Sequence, residues 1–329
     1  MDGAGAGGAE LRFGPGYTRA ILSACERGER EYCHTADTSG RAPTRCVYEL
    51  GGGVEVVVQE LRVAEGGLGW RVWVGALVLA RWMVAHADAF RGRRVLELGS
   101  GLGLGGLVAA QLGADAVAMS DCLAPLVHNL RLNAALNAAR VPSTTCIRAC
   151  AVRERQPAGG APPAAGRRRT MEECVGDRYT LPPDTDWLAP AEAFNVVVAS
   201  EVLYEAYHAD SMADAVARHL ARAACSRAHV LYVNRDERFL CARGILWAFV
   251  RAARARGLAV HIAASRPHAR AAGRCADFAP AMAEADAERV RAAVEPAAGE
   301  DDVKLALVTL RWAEAGRTVA CADVCNSRS

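Results

Sequence analysis

Two hydrophobic rhythms alternate along the middle of this chain. From Trp73 to Ala87 the apolar residues recur at helical spacing, with Arg81 and His86 left for a wetter side. Arg94 to Leu98 is a short apolar run of strand length, and Gly99 to Gly106 is a glycine-rich turn that opens a helix from about Leu107 to Leu112. Ala116 to Ser120 reads as the next strand, closed by Asp121, and Leu123 to Asn137 as a second helix. Upstream, Cys46 to Leu50 and Val54 to Val63 flank three glycines, the pattern of a hairpin leading into the main domain.

The same alternation continues downstream. Thr145 to Val152 predicts a third strand, and Phe194 to Ala199 a continuous apolar strand of the kind buried on both faces of a parallel sheet. Tyr207 to Ala224 predicts a helix, His229 to Val233 a strand, Glu237 to Arg256 a helix and Leu258 to Ala264 a strand. Val303 to Trp312 is a final strand with strong alternation. Strands alternating with helices imply an α/β fold: a Rossmann-like, seven-stranded, mostly parallel sheet with helices on both faces, an antiparallel edge from the last strand, and an N-terminal β-hairpin.

Some segments carry no such rhythm. Residues 1–20 are rich in Gly and Ala and read as a mobile tail within an irregular stretch 1–45. Residues 153–170 are a Pro, Gly, Ala and Arg tract that cannot bury a core, so 153–183 is expected to be a surface insertion in a domain spanning 46–315, followed by a tail at 316–329.

Composition narrows the function classes. Of the residues, 52% are hydrophobic and 23% charged, with a formal net charge of +2, so no overall charge draws the chain to nucleic acid or anionic membrane. No apolar run reaches membrane-spanning length. The 12 cysteines are scattered without a C-x-x-C pair, and Cys146 with Cys150, like Cys321 with Cys325, lack the His and second pair of a zinc site; they read as ordinary thiols. The expectations are therefore a protein of the cytoplasm or nucleus with no metal, membrane or nucleic-acid partner and a monomer as the favoured state.

The chemistry concentrates in VLELGSGLGLGG, Val95 to Gly106. Glycines at the end of a parallel strand let backbone approach a ligand, and the following helix presents unpaired N–H groups. Gly101, Gly103 and Gly106 also fit the dinucleotide fingerprint, which keeps a nicotinamide-dependent oxidoreductase open. Glu97 tilts the choice: a carboxylate inside the strand end repels pyrophosphate and suits the cationic methionine end of S-adenosylmethionine. Asp121, about twenty residues on, can accept ribose hydroxyls in either cofactor, or cap the next helix.

From Gly69 to Asn137, in the order GWRVWVGALVLARWM, RVLELGSGLGLGGLVAAQLGA and SDCLAPLVHNLRLNAALN, and again in TDWL at Thr185 to Leu188 and VVVASEVLYE at Val196 to Glu205, the chain resembles the seven-strand protein lysine methyltransferases of methyltransferase family 16. The resemblance covers roughly residues 46–265. It implies an S-adenosylmethionine-dependent enzyme acting on a protein lysine. Trp73 would be the cofactor-site tryptophan, Gly99, Ser100 and Gly101 the turn, Asp121 the ribose acid, Trp187 the aromatic against adenine, and Ser200 the small residue before the acidic motif. Glu201 and Tyr204 would be that motif's two defined positions and the catalytic pair.

Each residue also has a plainer role open to it. Trp73 can be a core residue, and Glu201 can cap the helix that follows it. Arg235, Asp236 and Arg238 can line the substrate mouth or pair on the surface, and His86, His128 and His208 are assigned no chemistry. Three further functions stay open: arginine methylation on the same fold, nicotinamide chemistry, and an inactive cofactor-binding interaction protein.

Overall fold

The structure is a computed structural model that describes residues 10–14, 43–152, 185–205, 207–233, 244–265 and 305–313. A small sheet comes first: β1 (Glu10–Phe13) pairs parallel with β2 (Arg45–Gly51), which pairs antiparallel with β3 (Val54–Gln59) across the predicted glycine turn. Within the stretch expected to be irregular, Glu10–Phe13 is thus a strand, because β2 offers it a second edge.

A helical turn at Val63–Gly66 and a 3₁₀ turn at Gly67–Trp70 lead into α1 (Val74–Ala85). Then come β4 (Arg94–Leu98), α2 (Leu104–Gln111), β5 (Ala116–Asp121), α3 (Ala124–Asn137) and β6 (Cys146–Ala151). After residues 153–184 follow β7 (Val196–Ser200), α4 (His208–His219), β8 (Arg227–Val233), α5 (Ile245–Ala255), β9 (Leu258–Ser265) and β10 (Leu305–Trp312).

The main sheet has seven strands in the order β6-β5-β4-β7-β8-β10-β9. Strands β4 to β8 run parallel, and β10 is antiparallel to both β8 and β9. The last strand is therefore antiparallel as predicted but lies inside the sheet, and β9 is the edge. Burial explains the placement: Leu305, Ala306, Leu307, Val308 and Leu310 are all buried, which an edge strand does not need.

Several element boundaries moved: the strand expected over Val54 to Val63 ends at Gln59, Val63 opens a helical turn, and two further shifts have a clear physical reason. Helix α2 begins at Leu104, three residues earlier than predicted, although Gly105 and Gly106 are poor helix formers. The Glu97 carboxylate accepts their backbone N–H groups at 2.9 and 3.0 Å and so caps the first turn from the neighbouring strand. Helix α4 ends at His219, because Leu220 turns extended and bridges Phe194.

One packing device was not foreseen. Asn129, Asn133 and Asn137 recur every fourth residue on α3, with Asn133 and Asn137 fully buried. Asn137 accepts from Val57 N at 2.9 Å and donates to Val57 O at 2.6 Å; Asn133 accepts from Gln59 N at 2.8 Å, and Asn129 donates to Gln59 O at 2.9 Å. The helix thus satisfies the outer edge of β3 as a neighbouring strand would. Asn133 also donates to Leu102 O at 2.9 Å, which ties this assembly to the glycine turn.

Cys146 and Cys150 are free thiols as expected, and Cys225 is disulfide-bonded. Among the described residues no single helix is long and apolar enough to cross a membrane. Residues 153–183, 266–302, Arg235, Asp236 and Arg238 lie outside the described residues.

Candidate active site

The carboxyl ends of β4, β5 and β7 open on a cavity of about 290 Å³. Its floor is the turn Leu98–Leu102, its sides are Asp121–Leu123 and the stretch Gly69 to Ala76, and its mouth is Ser200–Val202, Tyr204 and the first turns of α4. Open parallel sheets gather ligands at this place, where the strands on either side of β4 wind in opposite directions. Of the residues singled out from the sequence, Trp73, Glu97, Gly99, Ser100, Gly101, Asp121, Ser200, Glu201 and Tyr204 all line it. Trp187 does not.

Gly99, Gly101 and Gly103 all have positive φ, at 62°, 52° and 84°. The turn also needs its neighbours close: a Cβ on Gly69 would lie 3.2 Å from the Gly101 Cα, and one on Gly99 would lie 2.6 Å from the Val202 side chain. Asp121 fixes the same turn, accepting from Gly101 N at 3.0 Å through one oxygen and from Cys122 N at 2.8 Å through the other. Ser100 is turned inward, donating to Glu97 O and accepting from Ser120 N at 2.9 Å, so its hydroxyl serves the β4 to β5 junction.

Glu97 has a different position from the one expected. Its side chain is only 6% exposed, and both oxygens face the N–H groups of Gly105 and Gly106. Burial pushes its carboxyl up to about 7, opposed by those backbone donors and by Ser100. It excludes pyrophosphate less by repulsion at a distance than by occupation: the helix N-terminus that a dinucleotide would use is already filled. The nicotinamide reading loses its anchor there.

Glu201 is a capping acid, but for a helix 126 residues earlier in the chain. Its Oε1 accepts from Gly75 N in the first turn of α1 at 2.5 Å. Gly75 has to be glycine for this, since a Cβ there would lie 2.6 Å from the Glu201 carboxylate. Among the described residues Glu201 is the one non-glycine with positive φ, at 56°, a conformation that costs about 1–2 kcal/mol. Beside it, the Ser200 hydroxyl is buried against the cavity and makes no hydrogen bond.

Trp73 is half-buried at the start of α1, its indole Nε1 donating to Leu68 O at 2.6 Å, so it walls the cavity and is not a core residue. Trp187 is 39% exposed. It bridges Ala151 in parallel, and strand alternation then sends Leu188 into the core and the indole outward. The ion pairs of Arg148 with Asp186 and Glu192 hold this segment to β6.

Two cavity residues were missed. His208, the first residue of α4, accepts from Glu205 N at 3.0 Å through Nδ1, and its ring meets Tyr204 edge-on at 4.2 Å. Burial pushes it down to about 4, so it is neutral near pH 7. Arg71 is buried at 7% exposure, with its guanidinium carbon 4.7 Å from the ring centres of both Trp70 and Trp73. The sequence signal for both was an ionisable residue beside aromatics, which is common on surfaces and so weak.

Residues 52–149 match the family described as lysine methyltransferase. The chain is 40% identical over 93 residues to the protein-lysine N-methyltransferase EEF2KMT of Mus musculus, a stretch covering 27% of this chain and 28% of that protein. It is 27% identical over 210 residues to the protein-lysine N-methyltransferase rrg1 of Schizosaccharomyces pombe, covering 61% of this chain and 58% of that one. It thus spans well under two thirds of either relative's length. Among solved structures, the T. Thermophilus 16S rRNA methyltransferase RsmC in complex with AdoMet and guanosine is 15% identical with a TM-score of 0.44, covering 83% of this chain and 52% of that one. The family match ends at residue 149, so Trp187, Ser200, Glu201 and Tyr204 lie beyond it.

Proposed function

We propose that this chain transfers a methyl group from S-adenosylmethionine to a lysine side-chain nitrogen of a protein substrate. The observation that carries the proposal is the union, in one cavity, of a glycine turn whose helix N-terminus is closed by Glu97 with a strained acid, Glu201, at the mouth. The activity for which the two protein-lysine N-methyltransferase relatives are named supports the same reading.

The residues fit that donor. The buried Ser200 hydroxyl needs a polar partner, and the cradle at Gly99 and Gly101 admits a ligand where side chains would not. Asp121, already holding the turn, presents its carboxylate where ribose hydroxyls would lie, and Trp73 supplies an aromatic wall. When bound, the donor supplies an electrophilic methyl carbon on a sulfonium.

The chain's own residues then have to place a neutral amine in line with that carbon. Glu201 is suited to positioning: a carboxylate attracts the incoming ammonium and by itself opposes its deprotonation, so loss of the proton to water or to a nearby base has to precede transfer. Gly75 N–H fixes the carboxylate's direction, and His208 fixes the backbone between Tyr204 and Glu205. The positive φ of Glu201 is strain held at the point where direction matters.

The test is incubation of the purified chain with labelled donor and a soluble cell extract, followed by mass spectrometry of labelled proteins. Methyl-lysine in a protein is the expected product; methyl-arginine would overturn the lysine assignment, and absence of both donor binding and transfer would overturn the function. We further place the enzyme in the cytoplasm or nucleus as a monomer. The free thiols Cys46, Cys122, Cys146 and Cys150 support that compartment, and the disulfide at Cys225 counts against it. Imaging of a tagged chain in the secretory pathway, or a dimer mass in sedimentation, would contradict it.

A further inference from the structure

The glycine turn is not held by its own residues alone. The peptide between Leu102 and Gly103 adjoins a left-handed glycine, Gly103, at φ 84° and ψ 22°, just ahead of α2. A glycine has no Cβ to prefer one orientation of that peptide plane over its reverse, so partners have to fix it. They do so at both ends: Gly103 N donates to Ser100 O at 2.7 Å, and Leu102 O accepts from Asn133 Nδ2 at 2.9 Å. The first partner belongs to the turn and the second to α3. Helix α3 also packs directly on this point, since a Cβ on Gly103 would lie 2.7 Å from the Leu130 side chain. Gly101 and Leu102 line the cavity, so the orientation of this peptide shapes its floor.

Asn133 is fully buried, and its partners leave its amide one orientation. Gln59 N can only donate and Leu102 O can only accept, so Oδ1 faces β3 at 2.8 Å and Nδ2 faces the turn. One rigid amide therefore joins the edge of the small N-terminal sheet to the cavity floor. Gln59 is held a second time, its carbonyl accepting from Asn129 at 2.9 Å. The chain leaving β3 meets the turn from the other side as well: Leu61 N donates to Trp70 O at 3.0 Å, and a Cβ on Gly69 would lie 3.2 Å from the Gly101 Cα. Asn137, one helical turn on, grips Val57 in the same manner and donates to Asn133 O instead of to the turn.

We propose that Asn133 is a positioning residue of the methyl-donor site: it sets the Leu102 peptide against β3, so that donor affinity depends on the small N-terminal sheet. This rests on the methyl-donor reading above. Asn133 acts through the Leu102 carbonyl and touches no ligand, and Asn137 supplies the internal control, a buried asparagine with the same hold on β3.

The experiment is calorimetry with S-adenosylhomocysteine, the donor less its methyl group, beside urea unfolding of the same proteins. Asn133→Asp keeps the acceptor for Gln59 N–H and turns a carboxylate oxygen on Leu102 O; Asn137→Asp makes the same exchange against Val57 O. Both should lower the unfolding midpoint. Asn133→Asp should weaken S-adenosylhomocysteine by about tenfold, while Asn137→Asp stays within about twofold of wild type. Equal loss in the two variants, or none in either, would make Asn133 a structural residue and overturn the proposal. A second measurement needs the wild-type chain alone: by linkage, bound S-adenosylhomocysteine should slow hydrogen exchange at Gln59 N–H more than at Val308 N–H in β10. Equal slowing at the two amides would overturn the proposal even where Asn133→Asp does not fold. Either negative result with wild-type binding intact defeats Asn133 alone; no binding of S-adenosylhomocysteine by the wild-type chain defeats the donor reading as well.

Discussion

The two halves of the cavity are built in opposite ways. On the turn side, Glu97, Ser100, Gly101, Gly105, Gly106 and Asp121 satisfy one another within about 25 residues of chain. On the mouth side, Glu201 reaches Gly75 across 126 residues. A locally closed set of hydrogen bonds makes a rigid floor. A long-range set makes a mouth whose geometry depends on how the sheet assembles, and the strain at Glu201 sits there.

The largest effect expected from breaking this division is at Glu201. Glu201→Ala should lower transfer on the order of a hundredfold or more while S-adenosylhomocysteine affinity, read by calorimetry, changes little. Glu201→Gln keeps an acceptor for Gly75 N–H and removes the charge, so a rate near wild type in that variant would mean that capping α1 is the residue's whole role. Asp121→Ala should do the reverse, weakening donor binding first.

Next is Glu97. Glu97→Ala leaves two buried N–H groups without their acceptor, and the midpoint of urea unfolding should show a loss of about 2–4 kcal/mol. A loss below about 1 kcal/mol would show that the turn is held by the glycines and Asp121 alone.

Acidity should separate the halves. His208 has its pKa lowered to about 4, so its contribution to stability is complete above the unfolded value near 6.5 and is lost as pH falls toward 4. Glu97 has the opposite sign: its folded pKa of about 7 lies above the unfolded value, so its contribution is present below about 4.5 and is lost as pH rises through 7. Unfolding midpoints measured from pH 7.5 to 5 should therefore become less pH-sensitive in His208→Gln, by up to about 1.4 kcal/mol per pH unit, and more acid-sensitive in Glu97→Gln. The same slope in all three proteins would refute both assignments.

The smallest effect belongs to Trp187. Its exposed ring contributes little to stability, and Trp187→Ala should leave the unfolding midpoint nearly unchanged. If the ring covers adenine when the donor binds, affinity should fall by about 1 kcal/mol.

The turn side was legible because its signal is local. Glycines at Gly99, Gly101 and Gly103, an acid before them and an acid closing the next strand can be read in one window, and the structure brings Glu97, Gly99, Gly101 and Asp121 to one cavity. The mouth was legible only as a resemblance, since nothing near Glu201 in sequence shows that its partner is Gly75. Arg71, His208 and the asparagine row on α3 were read past for the same reason. Polar residues reveal their roles through what packs on them, and those neighbours are distant in the chain.

The sequence by itself determined the alternation of strands and helices, the glycine turn and the set of acids, because hydrophobic period and backbone freedom are properties of short windows. Only the tertiary structure decided that Glu97 closes the start of a helix, that Glu201 caps α1, that Trp187 points outward, and that β10 lies inside the sheet. Each of those depends on which distant donor, ring or strand arrives beside the residue, and burial sets that partner.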